Sequence, residues 1–222
     1  MRAENLVLYT SVILSFSAGY LDATTWTCVD KMFAAHITGN FVVFAYDILK
    51  HADMKTWLRL LAFPVFIAGA IIAAKMEEAK WRMNILIHAE GIILVLAGIA
   101  AVVAKATDAV NNEMHNFSIA LMVVFAMAFQ NAFGKLFPKA VYGITTSMTG
   151  NVTQIILDSY HLMHSGDVSA AKISGVQNMA KTVGSFLLGC AAGIRLSSWV
   201  GLPAILLPAV LIVLLGVKGE QK

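Results

Sequence analysis

The sequence predicts an all-α integral membrane protein built of two homologous repeats. Each repeat has about four helical segments, giving six to eight crossings, with short or broken Thr-Gly-Asn helices where the repeats meet. Three observations carry this expectation. Of 222 residues, 59% are hydrophobic and 13% charged, and the mean hydropathy is +0.75, whereas a soluble domain carries about a quarter charged residues. Apolar runs long enough to cross a hydrocarbon core of about 30 Å recur from end to end. Finally, Thr38-Gly39-Asn40, six residues and then Asp47 recur as Thr149-Gly150-Asn151, six residues and then Asp158, displaced by 111 residues.

Reading apolar runs against their polar interruptions gives helical segments near 6–27, 33–49, 57–76, 83–104, 117–134, 143–163, 173–194 and 199–217. The first follows Arg2 and resembles a cleavable signal, but the apolar character continues down the chain, so it reads as an uncleaved helix. Asp30 and Lys31 separate it from the second segment, which carries the first Thr-Gly-Asn. Lys50, His51, Asp53 and Lys55 precede the third, and Lys75, Glu77, Glu78, Lys80 and Arg82 the fourth. A longer polar hinge, Lys105, Asp108, Asn111, Asn112, Glu113 and Asn116, falls at mid-chain. The second half repeats the order. Leu21-Asp22-Ala23 is matched by Gln130-Asn131-Ala132, and Phe66-x-x-Gly69-x-x-x-Ala73 by Phe186-x-x-Gly189-x-x-x-Gly193. The chain therefore reads as one transmembrane domain, 1–222, with repeats 1–107 and 114–222.

Orientation depends on the Thr-Gly-Asn segments. If both cross, there are eight crossings and parallel halves; if both re-enter, there are six crossings and inverted halves. Lys and Arg are spread too evenly over the two sides to choose by the positive-inside rule.

Composition excludes several classes. The net charge of +3 is small and dispersed, with no basic tract to follow a nucleic acid backbone. Cys28 and Cys190 are far apart in apolar sequence, so neither a disulfide framework nor a zinc site is expected. His161 and His164 share a helix face but lack a third ligand at metal spacing. No nucleophile elbow, phosphate loop or metalloprotease motif occurs, so no catalytic residue, cofactor or metal is expected and the chain does not read as an enzyme.

Polar residues within apolar spans mark function or packing, because lipid leaves them no other partner. A Gly between Thr and Asn suits a helix break whose ends face a solute, or close packing with Asn bonding between helices. By spacing, Asn40, Phe44 and Asp47 share a face, as do Asn151, Ile155 and Asp158, and both faces suit the lining of one cavity. Asp47 and Asp158 nonetheless read more simply as solvated interfacial carboxylates, and His88 and Glu90 as interfacial. Asp22 has no basic neighbour in sequence and reads either as an ion- or proton-coupling group or as a helix terminator. His36 suits a proton relay or a structural role. The small-residue faces also suit pairing of two copies.

Gly19-Tyr20-Leu21-Asp22-Ala23, Phe33-Ala34-Ala35-His36-Ile37-Thr38-Gly39-Asn40, Phe129-Gln130-Asn131-Ala132 and Thr145-Thr146-Ser147-Met148-Thr149-Gly150-Asn151 closely resemble the YoaK family of bacterial membrane proteins. The resemblance implies about six spans and a domain of unknown function regarded as a transporter candidate. Carried over by position, it marks Asp22, His36, Thr38, Gly39, Asn40, Gln130, Asn131, Thr149, Gly150 and Asn151. The resulting expectation is a multi-pass protein of a bacterial inner membrane, transporting a small polar solute with proton or sodium coupling. A channel and a non-transporting scaffold or sensor are the alternatives.

Overall fold

The computed structural model describes residues 3–51, 53–109, 112–164 and 169–219; Arg2, Asn111 and the last residues of the second repeat lie outside them. Among the described residues all regular structure is helical: α1 (Ala3–Cys28), α2 (Gly39–His51), α3 (Met54–Leu60), α4 (Ala62–Glu78), α5 (Met83–Ala106), α6 (Glu113–Leu136), α7 (Met148–His164), α8 (Ala170–Val200) and α9 (Leu206–Gly219). Five stretches are long and apolar enough to cross a membrane: Glu4–Cys28, Met54–Glu78, Met83–Ala106, Glu113–Leu136 and Ala170–Val200. Leu202–Gly216 is a shorter apolar stretch.

Local chemistry sets several boundaries. Asp53 caps α3, accepting the Thr56 N–H at 2.9 Å while Thr56 Oγ1 accepts the Asp53 N–H at 3.3 Å. Pro64 has no N–H to offer the Leu60 carbonyl, which explains the interruption at Leu61 between α3 and α4. Asn112 caps α6 and Ser169 caps α8.

Contacts at the two ends fix the helix directions. At the end where α1 finishes, Lys55 pairs with Glu113 at 2.6 Å and Lys105 Nζ donates to the Val200 carbonyl at 2.9 Å. Hence α3–α4 and α6 start there, and α5 and α8 finish there. At the opposite end, Leu6, Met83, Ala140 and Leu215 surround a small cavity of about 80 Å³, joining the start of α1 and α5 to the finish of α6 and α9. α1 and α6 therefore run antiparallel.

The core is built by pairing elements of different halves. α1 packs along α8, α6 along α4, and α5 along α9. In the first pair, a methyl at Gly189 would collide with the Phe16 carbonyl; in the second, one at Gly69 would lie 2.9 Å from the Phe125 carbonyl. Backbones this close require glycine. Phe16 stands six residues before Asp22, and Phe125 six before Asn131. The outer surface carries Ile67, Ile71, Leu96, Val103, Leu187, Leu188 and Leu214.

The segments expected at 33–49 and 143–163 are helical only from Gly39 and Met148. Their first residues form loops that fold into the bundle, where Ala34, Ala35, Thr145 and Thr146 are buried. Burial explains why these loops are apolar and read as helix. The short helices α2 and α7 sit outside, against α3 and α8, so it is the preceding loops, not the Thr-Gly-Asn helices, that reach the interior. Arg59 explains the geometry of α2. Its guanidinium is buried, bonds Asp30 just after α1 at 3.0 Å and also pairs with Asp47 near the end of α2. The chain thus dips inward after α1 and returns to the end it left. The finish of α7 likewise returns beside the start of α8, where Asp158, His161 and Lys172 line a groove.

Candidate functional site

Each loop is held by the side chains that the sequence singles out. Asn40 Oδ1 accepts the Phe33 N–H at 2.8 Å, and its Nδ2 donates to the Phe33 carbonyl at 2.8 Å. Asn151 does the same to Ile144, at 3.1 and 3.0 Å. In both cases the clipped residue lies seven positions earlier. The carboxamides satisfy backbone groups that would otherwise be orphaned in an apolar interior.

The tip of each loop is tied to the long helix before it. In the first half, Asp22 Oδ1 accepts the N–H groups of Ala34, Ala35 and His36 at 2.8, 2.6 and 3.4 Å, and Oδ2 accepts His36 Nδ1–H at 2.5 Å. The carboxylate without a basic neighbour in sequence therefore finds its partners in the His36 imidazole and the loop backbone. In the second half, the matching helix position carries amides. Gln130 Nε2 donates to Thr145 Oγ1 and to the Leu14 carbonyl, both at 2.9 Å. Asn131 Oδ1 accepts Thr146 Oγ1–H at 2.6 Å, and its Nδ2 donates to the Met127 carbonyl at 3.1 Å and reaches the Ala35 carbonyl at 3.5 Å. Asn131 thus touches both loop tips, which meet inside the bundle.

Hydrogen bonding to Asp22 raises the His36 imidazole above its ordinary value of 6.5, against an opposing effect of burial. The side chain keeps 35% of its surface, and it lines a cleft with Trp26, Phe33 and Phe186. Further polar groups line the interior. Ser17, Tyr20 and Thr24 follow one face of α1 by spacing, and their hydroxyls, like Gln130 Oε1, are buried without a hydrogen-bond partner among the described residues.

Of the ten residues marked in the sequence, Asp22, His36, Asn40, Gln130, Asn131 and Asn151 gather at the two loops. Thr38 and Thr149 are exposed. Gly39 packs on the Phe33 ring, whereas a methyl at Gly150 would find its nearest neighbour, Ser147 Oγ, 3.9 Å away. The two expected faces do not line one cavity. Asn40 and Asn151 turn to their own loops, Asp47 turns to Arg59, and Asp158 accepts from Gln154 on α7 at 2.8 Å. Asp47 is accordingly an ion-pair partner of a buried Arg rather than a solvated carboxylate. Glu90 is buried rather than interfacial, with Oε1 meeting no donor among the described residues, and His88 lies against Gly216. The sequence reading missed Arg59, Thr145, Thr146 and Ser15, whose Oγ donates to the Thr145 carbonyl at 3.3 Å. Arg59, alone among apolar residues, was a signal that could have found the Asp47 pairing.

Fold and site define a helical bundle, apolar on its outer surface, that holds two inward-folded polar-anchored loops. The model of the family described as Protein of unknown function (DUF1275) matches residues 10–217, and the chain belongs to that family. No curated protein and no solved structure matches it.

Proposed function

We propose that the chain is an integral membrane protein with six crossings, built of two inverted repeats, 1–107 and 114–222, and that it acts as a secondary transporter of a small solute. Helices with apolar outer faces favour a bilayer. Antiparallel α1 and α6, the paired asparagine clips, and the matched Phe16–Gly189 and Phe125–Gly69 contacts support inverted repeats. The YoaK resemblance supports a bacterial inner membrane.

The observation that carries the transport reading is the meeting of two re-entrant loops at Asn131, beside the Asp22–His36 ion pair. Non-helical backbone inside a membrane domain is tolerated where protein or a water-filled cavity satisfies it, and solute sites form at such breaks between repeats. Because Asn40 and Asn151 spend both polar groups on backbone, they position the loops. The unpartnered hydroxyls of Ser17, Tyr20 and Thr24 and Gln130 Oε1 are the groups left to meet a polar solute, with His36 and Asp22 carrying the coupling proton.

The test is uptake by proteoliposomes over a broad panel of metabolites and ions under imposed proton and sodium gradients. Saturable, gradient-driven uptake that is lost in Asp22→Asn supports the reading; folded protein that moves nothing overturns it. The clips themselves favour the rival scaffold reading, in which all polar groups serve packing. That rival predicts no solute flux.

A further inference from the structure

A cleft of about 340 Å³ opens between α1 and α8 beside the Asp22–His36 pair. Its walls are apolar: Trp26 and Phe33, with ring centroids 4.8 Å apart, Phe186, which meets the His36 ring edge-on at 5.3 Å, and Ile194. Asp22 also lines it, but both carboxylate oxygens are engaged by the loop. His36 Nδ1 is spent on Asp22, and Nε2 has no protein partner among the described residues. An apolar pocket with one placed polar group selects amphipathic ligands and fixes their orientation through that group.

The sign of the ligand's head follows from the pair. The hydrogen bond to Asp22 favours the protonated imidazole; in that form Nε2 donates, and a donor calls for an acceptor. One donor suits a monoanion; a doubly charged phosphate would need more donors to offset its desolvation.

We infer that this cleft binds a hydrophobic monocarboxylate, with the carboxylate on His36 Nε2 and the chain or ring against Trp26, Phe33, Phe186 and Ile194. This cleft is a second site, separate from the hydroxyl-lined interior proposed above to meet the solute, and it shares with that reading only the Asp22–His36 pair. The binding itself is measured at equilibrium, so its failure and the failure of flux are separate results.

Trp26 is a natural reporter. Trp57, Trp81 and Trp199 are exposed, and their replacement by Phe leaves Trp26 as the single tryptophan. In phosphatidylcholine nanodiscs at neutral pH, octanoate and benzoate are expected to change Trp26 emission saturably. Octanol and acetate, each lacking one half of the recognition, should bind at least tenfold more weakly. His36→Gln should weaken octanoate binding at least tenfold without moving the octanol response, and Ile194→Trp, measured by thermal shift, should remove octanoate stabilisation by filling the cleft. In the parent protein, octanoate affinity should fall as pH rises through the raised histidine value. Asp22 from α1 and Cys190 from α8 are the other titratable groups lining the cleft. Equal responses to octanoate and octanol, an octanoate response that does not weaken as pH rises above the ordinary histidine value, or the same unsaturable response in a variant that keeps only Trp199 would overturn the inference. Loss of octanoate binding when phosphatidylglycerol is added would assign the cleft to lipid instead and overturn it equally.

Discussion

Asn40 and Phe33 form a closed two-bond ring, side-chain amide on backbone amide, at 2.8 Å in both directions. Asn151 and Ile144 repeat it at 3.1 and 3.0 Å. These rings hold two stretches of non-helical backbone inside an apolar bundle. Asn40→Ala leaves a buried N–H and a carbonyl unsatisfied, each worth about 1–3 kcal/mol. A large loss of thermal stability is expected for Asn40→Ala, with a comparable loss for Asn151→Ala. Asn→Asp should rescue neither, since it removes the donor. Unchanged melting of both alanine variants in detergent would refute the role assigned to the clips.

The two glycines of the repeated tripeptide should respond with opposite signs. A methyl at Gly39 would sit 2.6 Å from the Phe33 ring, the residue that Asn40 clips, whereas at Gly150 it makes only an ordinary contact with Ser147 Oγ at 3.9 Å. Gly39→Ala should therefore destabilise. Gly150→Ala, in the first turn of α7, should stabilise by about 0.4–1 kcal/mol through the unfolded state. Paired melting curves check both, and a matching sign would contradict the packing.

A pH signature follows from the Asp22–His36 pair. The folded-state value of His36 is raised above 6.5 by the hydrogen bond to Asp22. Its contribution to stability is thus complete below the ordinary value and lost as pH rises past the folded one. The melting temperature of the parent should fall toward that of His36→Gln over this interval. A gap between the two proteins that widens with pH would reverse the sign and exclude the pair as the loop anchor.

Glu90 is a buried carboxyl whose Oε1 meets no donor among the described residues. An unsatisfied buried polar group costs about 1–3 kcal/mol, and replacing it with an apolar residue of similar shape removes that cost. Glu90→Leu should raise the melting temperature. A pronounced fall would mean that Glu90 has a stabilising partner.

How far the sequence went depends on what each residue is doing. The long apolar helices are legible because each is a continuous apolar run long enough to cross a membrane, and the duplicated Thr-Gly-Asn is legible as a repeated pattern. The loops before it are not, since Phe33, Ala34, Ala35 and Ile37 are apolar through burial and have the composition of a helix. The partner of Asp22 was close by, at His36, but only the inward fold of the loop brings them to 2.5 Å. The repeated Asp47 and Asp158 misled, because one is locked by Arg59 while the other turns to Gln154. A shared motif does not specify a shared partner when the partner lies on another helix.

The proposed six crossings with re-entrant loops would put Lys31 and Lys50 on the same face of the membrane, although the first Thr-Gly-Asn lies between them. The direct test is labelling of single cysteines by an impermeant thiol reagent, in a background with Cys28 and Cys190 replaced, from each side of sealed vesicles. Lys31→Cys, Lys50→Cys and Lys105→Cys should label from one side, and Lys80→Cys, Lys139→Cys and His161→Cys from the other. Labelling of Lys31→Cys and Lys50→Cys from opposite sides would mean that the segment between them crosses, and the inverted, re-entrant arrangement would be wrong.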